Sequence, residues 1–115
     1  MKYQLIHHTG CGSSKKGLAL LQAQGIEPSV RKYMNKSSRL TEAELREIAR
    51  KMGDVSPRAF MREKDAARDG IGPEHSDDEI YKAMALNPKL IQRPIGVCGD
   101  RAILGRPNAR LLELL

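Results

Sequence analysis

An apolar run from Tyr3 to His7 enters the turn His8-Thr9-Gly10-Cys11-Gly12, and a second apolar stretch follows at Gly17-Leu18-Ala19-Leu20-Leu21. The first run is short and bounded by a turn, which predicts a strand. The second predicts a helix, with Ser13 or Ser14 as its cap, Leu18, Leu21 and Ala23 on its core face, and Gly25 as its stop. Beyond Pro28, Val30 to Tyr33 reads as a second strand. A strand, a helix and a strand in this order call for a crossover connection, which makes the two strands parallel. The opening third of the chain therefore points to an α/β fold.

The turn also carries the most reactive side chain. Cys11 lies between two glycines, just before a helix start. Free backbone N–H groups and the helix dipole favour negative charge at that place. A thiol there loses its proton more easily, and the thiolate is the nucleophile. The same arrangement binds oxyanions. Cys98 sits in an apolar strand pattern and reads as structural.

The middle of the chain reads as helical. Thr41-Glu42-Ala43-Glu44 is a capping box opening a helix with Leu45, Ile48, Ala49 and Met52 on one face, ended by Gly53. Ser56-Pro57 starts a short helix that carries Phe60 and Met61 and delivers Arg62. Asp65 to His75, charged and glycine-bearing, reads as a loop. Ser76-Asp77-Asp78-Glu79 is a second capping box, followed by Ile80, Ala83 and Met84 at helical spacing and closed by Asn87-Pro88. Ile95 to Cys98 and Arg101 to Leu104 read as a hairpin turning at Gly99-Asp100. Asn108 is placed to cap a last helix carrying Leu111, Leu112 and Leu115. The predicted architecture is an α/β sandwich with a mixed four-stranded sheet flanked by helices, in the order of a thioredoxin-like fold. It is one domain over residues 1–115, with an inserted helical region at about 41–86.

Composition narrows the partners. Twenty basic residues against fourteen acidic ones give a net charge of +6, which favours anionic partners. The chain has four aromatic residues in all, Tyr3, Tyr33, Phe60 and Tyr81, and no basic block, which argues against a nucleic-acid stacking platform. Two cysteines do not make a disulfide scaffold, and no apolar run is long enough to span a bilayer. The expectation is a cytoplasmic, monomeric protein under reducing conditions. No Cys/His spacing suits a zinc site.

Three arginines stand out by context. Arg62 follows a short apolar helix, Arg93 precedes Pro94, and Arg106 precedes Pro107. Proline fixes the backbone beside each of the last two. A guanidinium is a fork that matches tetrahedral oxyanions bidentately. With Cys11, the three make an oxyanion site.

Gly12-Ser13-Ser14 after the cysteine, Arg62, Pro88-Lys89-Leu90-Ile91, Arg93-Pro94-Ile95 and Leu104-Gly105-Arg106-Pro107 form an ordered set along nearly the whole chain. In this the chain resembles the glutaredoxin-linked arsenate reductase family. The resemblance implies a glutaredoxin-like fold with a helical insertion and reduction of arsenate to arsenite through a Cys11 adduct. It implies no bound cofactor, with glutathione as co-substrate and a glutaredoxin as partner. It further implies that Cys11 is the nucleophile and that Arg62, Arg93 and Arg106 bind the oxyanion. Gly12, Ser13, Ser14 and Lys15 would line the anion-binding turn. His7 would help lower the thiol pKa, and Pro94 would be the cis-proline of the fold. The family usually has Asn-Pro where this chain has His8-Thr9, and arginine where it has Lys15. The alternative readings are one of the related Spx regulators, which bind RNA polymerase, or a family member acting on another thiol or oxyanion substrate. Spx regulators often carry a second cysteine where this chain has Ser14.

Overall fold

The computed structural model describes residues 2–115. It has β1 (Tyr3–His7), α1 (Gly12–Ala23), β2 (Ser29–Lys32), α2 (Glu42–Lys51), α3 (Glu63–Arg68), α4 (Asp77–Leu86), β3 (Ile95–Cys98) and β4 (Arg101–Leu104). Short 3-10 turns at Pro57–Phe60 and Pro88–Leu90 link the helices, and a longer one, Asn108–Leu114, ends the chain. The sheet order is β2-β1-β3-β4. β1 and β2 are parallel, as the crossover requires; β3 is antiparallel to both β1 and β4. This mixed four-stranded α/β sheet flanked by helices is a thioredoxin-like fold.

Alternation along β1 splits the core in two. Tyr3 and Leu5 face α1 and the C-terminal 3-10 helix, packing with Leu21, Cys98, Ile103, Leu111 and Leu114. Ile6 faces the other way, into a larger cluster with Tyr33, Leu45, Phe60, Ile80, Met84, Leu90 and Ile95. That larger cluster is where α2 and α4 bury their apolar faces. Both helices begin with complete capping boxes, Thr41 with Glu44 and Ser76 with Glu79. Arg31 on β2 pairs with Glu44, tying the edge strand to α2. No helix among the described residues is long and apolar enough to cross a membrane.

Several local expectations change. β2 is shifted back by one residue, and Tyr33 follows it as a fully buried core residue. Neither Ser13 nor Ser14 caps α1; Cys11 itself is the N-cap residue, with no side-chain cap bond. The inward face of α1 is Ser14, Gly17 and Leu21, and Ala23 is exposed. Small residues there let α1 approach Pro94 and Leu111 closely. Residues 65–75, expected as a loop, begin inside α3. Glu63 and Asp65 sit in its first turn, Arg68 in its last, and Ala66 is its one buried residue. Gly70, at φ +79°, ends it. The Arg58 guanidinium donates to the Gly72 and His75 carbonyls at 3.0 and 2.8 Å, pinning the loop after α3. At the C-terminus Leu111 and Leu114 are buried, while Leu115 is exposed, because the last segment winds as 3-10 rather than α-helix.

Gly105 sits in a closely packed crevice. A Cβ there would stand 2.8 Å from Leu111 Cγ and 3.0 Å from Pro94 Cγ. Neither atom is the free end of a flexible chain. Gly105→Ala is expected to destabilise the protein by about 1–3 kcal/mol, the usual range for overpacking. Urea unfolding measures it; an unchanged midpoint would show that the crevice between β4 and the C-terminal helix relaxes freely.

Candidate active site

Cys11 is delivered by β1, and the turn is closed by backbone. The Cys11 N–H donates to the His8 carbonyl at 3.0 Å, and the His8 N–H donates to Ser14 Oγ at 3.3 Å. Ser14 is fully buried. With its oxygen accepting from His8, its hydroxyl proton is free to favour a thiolate. The turn thus folds around the first residues of α1, which point their N–H groups at the sulfur.

Burial pushes the Cys11 thiol up. The Ser14 N–H, the Arg93 guanidinium, the Ser14 hydroxyl and the Ser13 N–H together outweigh it and bring the pKa down to about 7. Arg106 adds a long contact, Nη2 to Sγ at 3.9 Å. The rate of Cys11 alkylation is therefore expected to rise with pH through a midpoint near 7, below the free-thiol value of about 8.5. Half of the thiol is then ionised near neutrality. A midpoint at or above the free value would remove the activated nucleophile.

Three separate segments bring the arginines to this turn. Arg93 and Pro94 enter β3 through a cis peptide bond; Arg106 and Pro107 leave β4 through a second, which sequence reasoning had not placed. The two segments are tied together: Arg106 Nε donates to the Arg93 carbonyl at 2.9 Å, and the Gly105 N–H donates to the Pro94 carbonyl at 2.8 Å. Arg62 arrives from the helical region through a short antiparallel bridge between Met61 and Ile91. Its N–H donates to the Leu90 carbonyl at 2.7 Å, and the Gln92 N–H donates to the Phe60 carbonyl at 2.8 Å. That bridge seats Arg62 opposite Leu90, against the segment that leads into Arg93. Arg62 and Arg106 line one cleft of about 420 Å³ with Lys64, Asp65 and Gln92.

The guanidiniums are held differently. Arg62 Nε donates to Asp65 Oδ2 at 2.6 Å, so Asp65 orients it and leaves the Nη groups unpaired among the described residues. The arginine in turn holds the Asp65 carboxyl below the usual carboxylate range. Arg93 Nη1 donates to the Ile91 carbonyl at 3.3 Å, and its Nε is buried without a partner. An unpaired buried donor of a charged group is costly unless something binds it. The same Ile91 carbonyl accepts from the Tyr33 hydroxyl at 3.2 Å. Burial raises the Tyr33 pKa, against the pull of Arg93 beside it, so the phenol stays neutral.

Of the other sequence-predicted residues, Gly12 is exposed and a Cβ there would touch nothing within 4 Å. Ser13 lies in the first turn of α1. Lys15 is exposed one turn into that helix. His7 is a correction. It is buried, 4 % exposed, and burial lowers its pKa, with His8, Lys32 and Lys15 pushing the same way. It is therefore neutral at pH 7 and brings no positive charge to the thiol; the depression comes from the turn and Arg93 instead. His8 is half-buried, and its ring lies where a Cβ on Gly10 would meet it at 3.2 Å. Burial lowers its pKa, and Arg93 and Arg62 add to that. Three residues went unseen in the sequence. Asp65 could have been found from its i,i+3 spacing to Arg62; Tyr33 and Asn108 had no such signal.

Cys98 is buried on β3 opposite Tyr3, at the far end of β1 from Cys11. Both cysteines are free. Four strand steps of about 3.3 Å separate Tyr3 from His7. The two thiols are thus well beyond the reach of a disulfide, about 7 Å between Cα atoms. No cluster of three or more His, Cys, Asp or Glu among the described residues could hold a metal ion.

The fold and this site define a thioredoxin-like protein with a single activated cysteine facing cationic side chains. The chain belongs to the ArsC family, whose model matches residues 6–114. It is 36% identical to the arsenate reductase of Haemophilus influenzae, with all of both chains covered. It is 35% identical to the arsenate reductase of Neisseria meningitidis serogroup A over 97% of each chain. Among solved structures, the arsenate reductase from Vibrio cholerae superposes with a TM-score of 0.89 at 38% identity, covering 100% of this chain and 98% of that one.

Proposed function

We propose that this protein is a thiol oxidoreductase that reduces arsenate to arsenite through Cys11. The observation that supports it most is the Cys11 thiol at about pKa 7, with the Arg93 and Arg106 guanidiniums beside it. The full-length likeness to arsenate reductases supports the choice of substrate. A singly or doubly charged tetrahedral oxyanion docks at the start of α1, where Gly12, Ser13 and Ser14 offer N–H groups. Arg62, Arg93 and Arg106 take its oxygens, and the unpartnered Nε of Arg93 gains an acceptor. Lys15 adds charge from the first turns of the helix without touching the thiol.

The Cys11 thiolate then attacks arsenic, and one arsenate oxygen leaves as water. The arginines hold the oxyanion charge through this step. Two electrons are still required to reach arsenite. Glutathione adds to arsenic as a mobile thiol, and a second arsenate oxygen leaves as water. The glutaredoxin thiolate then attacks the glutathione sulfur, the sulfur–arsenic bond breaks, and a glutathione–glutaredoxin disulfide forms; its electron pair takes arsenic from the +5 to the +3 state. Water releases arsenite from Cys11 and restores the thiol. No bound cofactor takes part. A reducing cytoplasm is the compartment that keeps Cys11 free and supplies such thiols.

Donor dependence tests this reading. Turnover is expected only with glutathione and glutaredoxin together, because Cys98 is too far from Cys11 to resolve the adduct. Turnover with thioredoxin alone that vanishes in Cys98→Ser would contradict it.

A further inference from the structure

The Cys11 turn and the two Arg-Pro segments come from opposite ends of the chain, and one side chain joins them. We propose that Asn108 is the positioning residue that holds the thiol at a fixed separation from Arg93 and Arg106. It deepens the site described above and rests on Cys11 being the nucleophile.

Asn108 Nδ2 donates to the Ser13 carbonyl at 3.0 Å and to the Gly105 carbonyl at 3.0 Å, with Ser13 Oγ at 3.3 Å. Two carbonyls can only accept, so the amide nitrogen, not the amide oxygen, must face them. The bonds to Ser13 run across 95 residues of sequence, whereas Gly105 is a near neighbour of Asn108. Ser13 lies two residues from Cys11 and provides one of the N–H groups that lower its pKa. Gly105 is bonded through its N–H to the Pro94 carbonyl, and Arg106 next to it is bonded to the Arg93 carbonyl. Each residue that Asn108 bonds therefore lies within two positions of a site residue, Ser13 of Cys11 and Gly105 of Arg106. Asn108 is half-buried in the crevice where Gly17, Pro94 and Leu111 meet, so water does not easily replace it.

A capping role would be the ordinary use of an asparagine here. The N-cap position of the last 3-10 helix is Pro107, however, and no side-chain cap bond is made there. The amide of Asn108 turns away from its own helix and onto α1. Without it, the start of α1 and the Arg106 segment touch mainly through apolar packing, which is not directional. The distance of 3.9 Å between Arg106 Nη2 and the sulfur is then free to lengthen.

The test is Cys11 alkylation against pH in Asn108→Ala, Asn108→Ser and Asn108→Asp, with urea unfolding of each. Ile80→Val, a buried change on α4, serves as a stability control and costs about 0.5–1.5 kcal/mol. Asn108→Ala is expected to raise the alkylation midpoint by about half a pH unit, which is about threefold in thiolate below the midpoint. Asn108→Ser, with a shorter donor, should shift it less. Asn108→Asp should shift it most, because a carboxylate then faces two carbonyls beside the thiolate. Ile80→Val should leave the midpoint unchanged. If Asn108→Ala and Asn108→Ser lose stability but keep the wild-type midpoint, Asn108 is only a structural tie and the proposal is wrong. Should Asn108→Ala not fold, the Asn108→Ser midpoint decides alone. Alkylation uses no arsenate, so an inactive wild type would overturn the proposed reaction and leave this result standing.

Discussion

Cys11→Ser is expected to bring arsenate turnover down to the uncatalysed background, while Cys98→Ser keeps most of the wild-type rate. The hydroxyl that replaces the thiol has no accessible anion near neutrality and is a poor nucleophile toward arsenic. None of the surrounding groups can stand in for it: His7 is buried and neutral, and the Ser14 hydroxyl is engaged by the His8 N–H. Cys98→Ser changes a buried strand residue at the other end of β1. It places a hydroxyl in an apolar cluster with Tyr3 and Ile103, so some stability is lost. The rate per folded molecule should hold. Initial rates corrected for the folded fraction separate the two effects. Substantial turnover in Cys11→Ser would mean that another group attacks the substrate.

Replacing Arg93 by Ala is expected to lower turnover by about 10²- to 10³-fold, the usual loss on removing one preorganised oxyanion donor. Arg93 should be the most sensitive of the three arginines, because it acts twice. Its guanidinium favours the thiolate before substrate arrives, and its buried Nε has no partner among the described residues. Arg93→Ala should therefore also raise the alkylation midpoint of Cys11. Arg62→Ala should cost activity without moving that midpoint, since Arg62 is held by Asp65 and is not among the groups that set the thiol. Arg106→Ala should fall between them. Arg46 and Arg50 are exposed and pair with Asp78 and Glu47 on the helical face, so their replacement should change little. Equal small effects at all five positions would show that the arginines are surface charge.

How much of this could be read from the residues depends on the range over which each signal acts. The strand–turn–helix opening, both capping boxes and the hairpin at Gly99-Asp100 are local patterns, set by neighbours within four residues, and they appear where expected. The arginines beside Pro94 and Pro107 were legible for the same reason. α3 was not. Six residues with one buried alanine carry no helical period, and charge density alone resembles a loop. The inward turn of Ser14 was hidden because a serine near a helix start usually caps it; here packing of α1 against Pro94 and Leu111 decides instead. That His7 lowers the thiol pKa is what the family resemblance implies, and no local pattern bears on it. Strand alternation sends His7 into the core, where burial keeps it neutral. Asn108 could not be found from the sequence, since its Ser13 partner lies 95 residues away and nothing in its own neighbourhood departs from a helix cap.

The most direct measurement is arsenite release by the purified protein, supplied with arsenate, glutathione and glutaredoxin, at several pH values. Sustained release is predicted, with a rate that climbs with pH through the Cys11 ionisation near 7 and levels off above it. The same curve should describe alkylation, since one thiolate governs both. No arsenite with any thiol donor, from a protein whose Cys11 still alkylates with a low midpoint, would contradict the account.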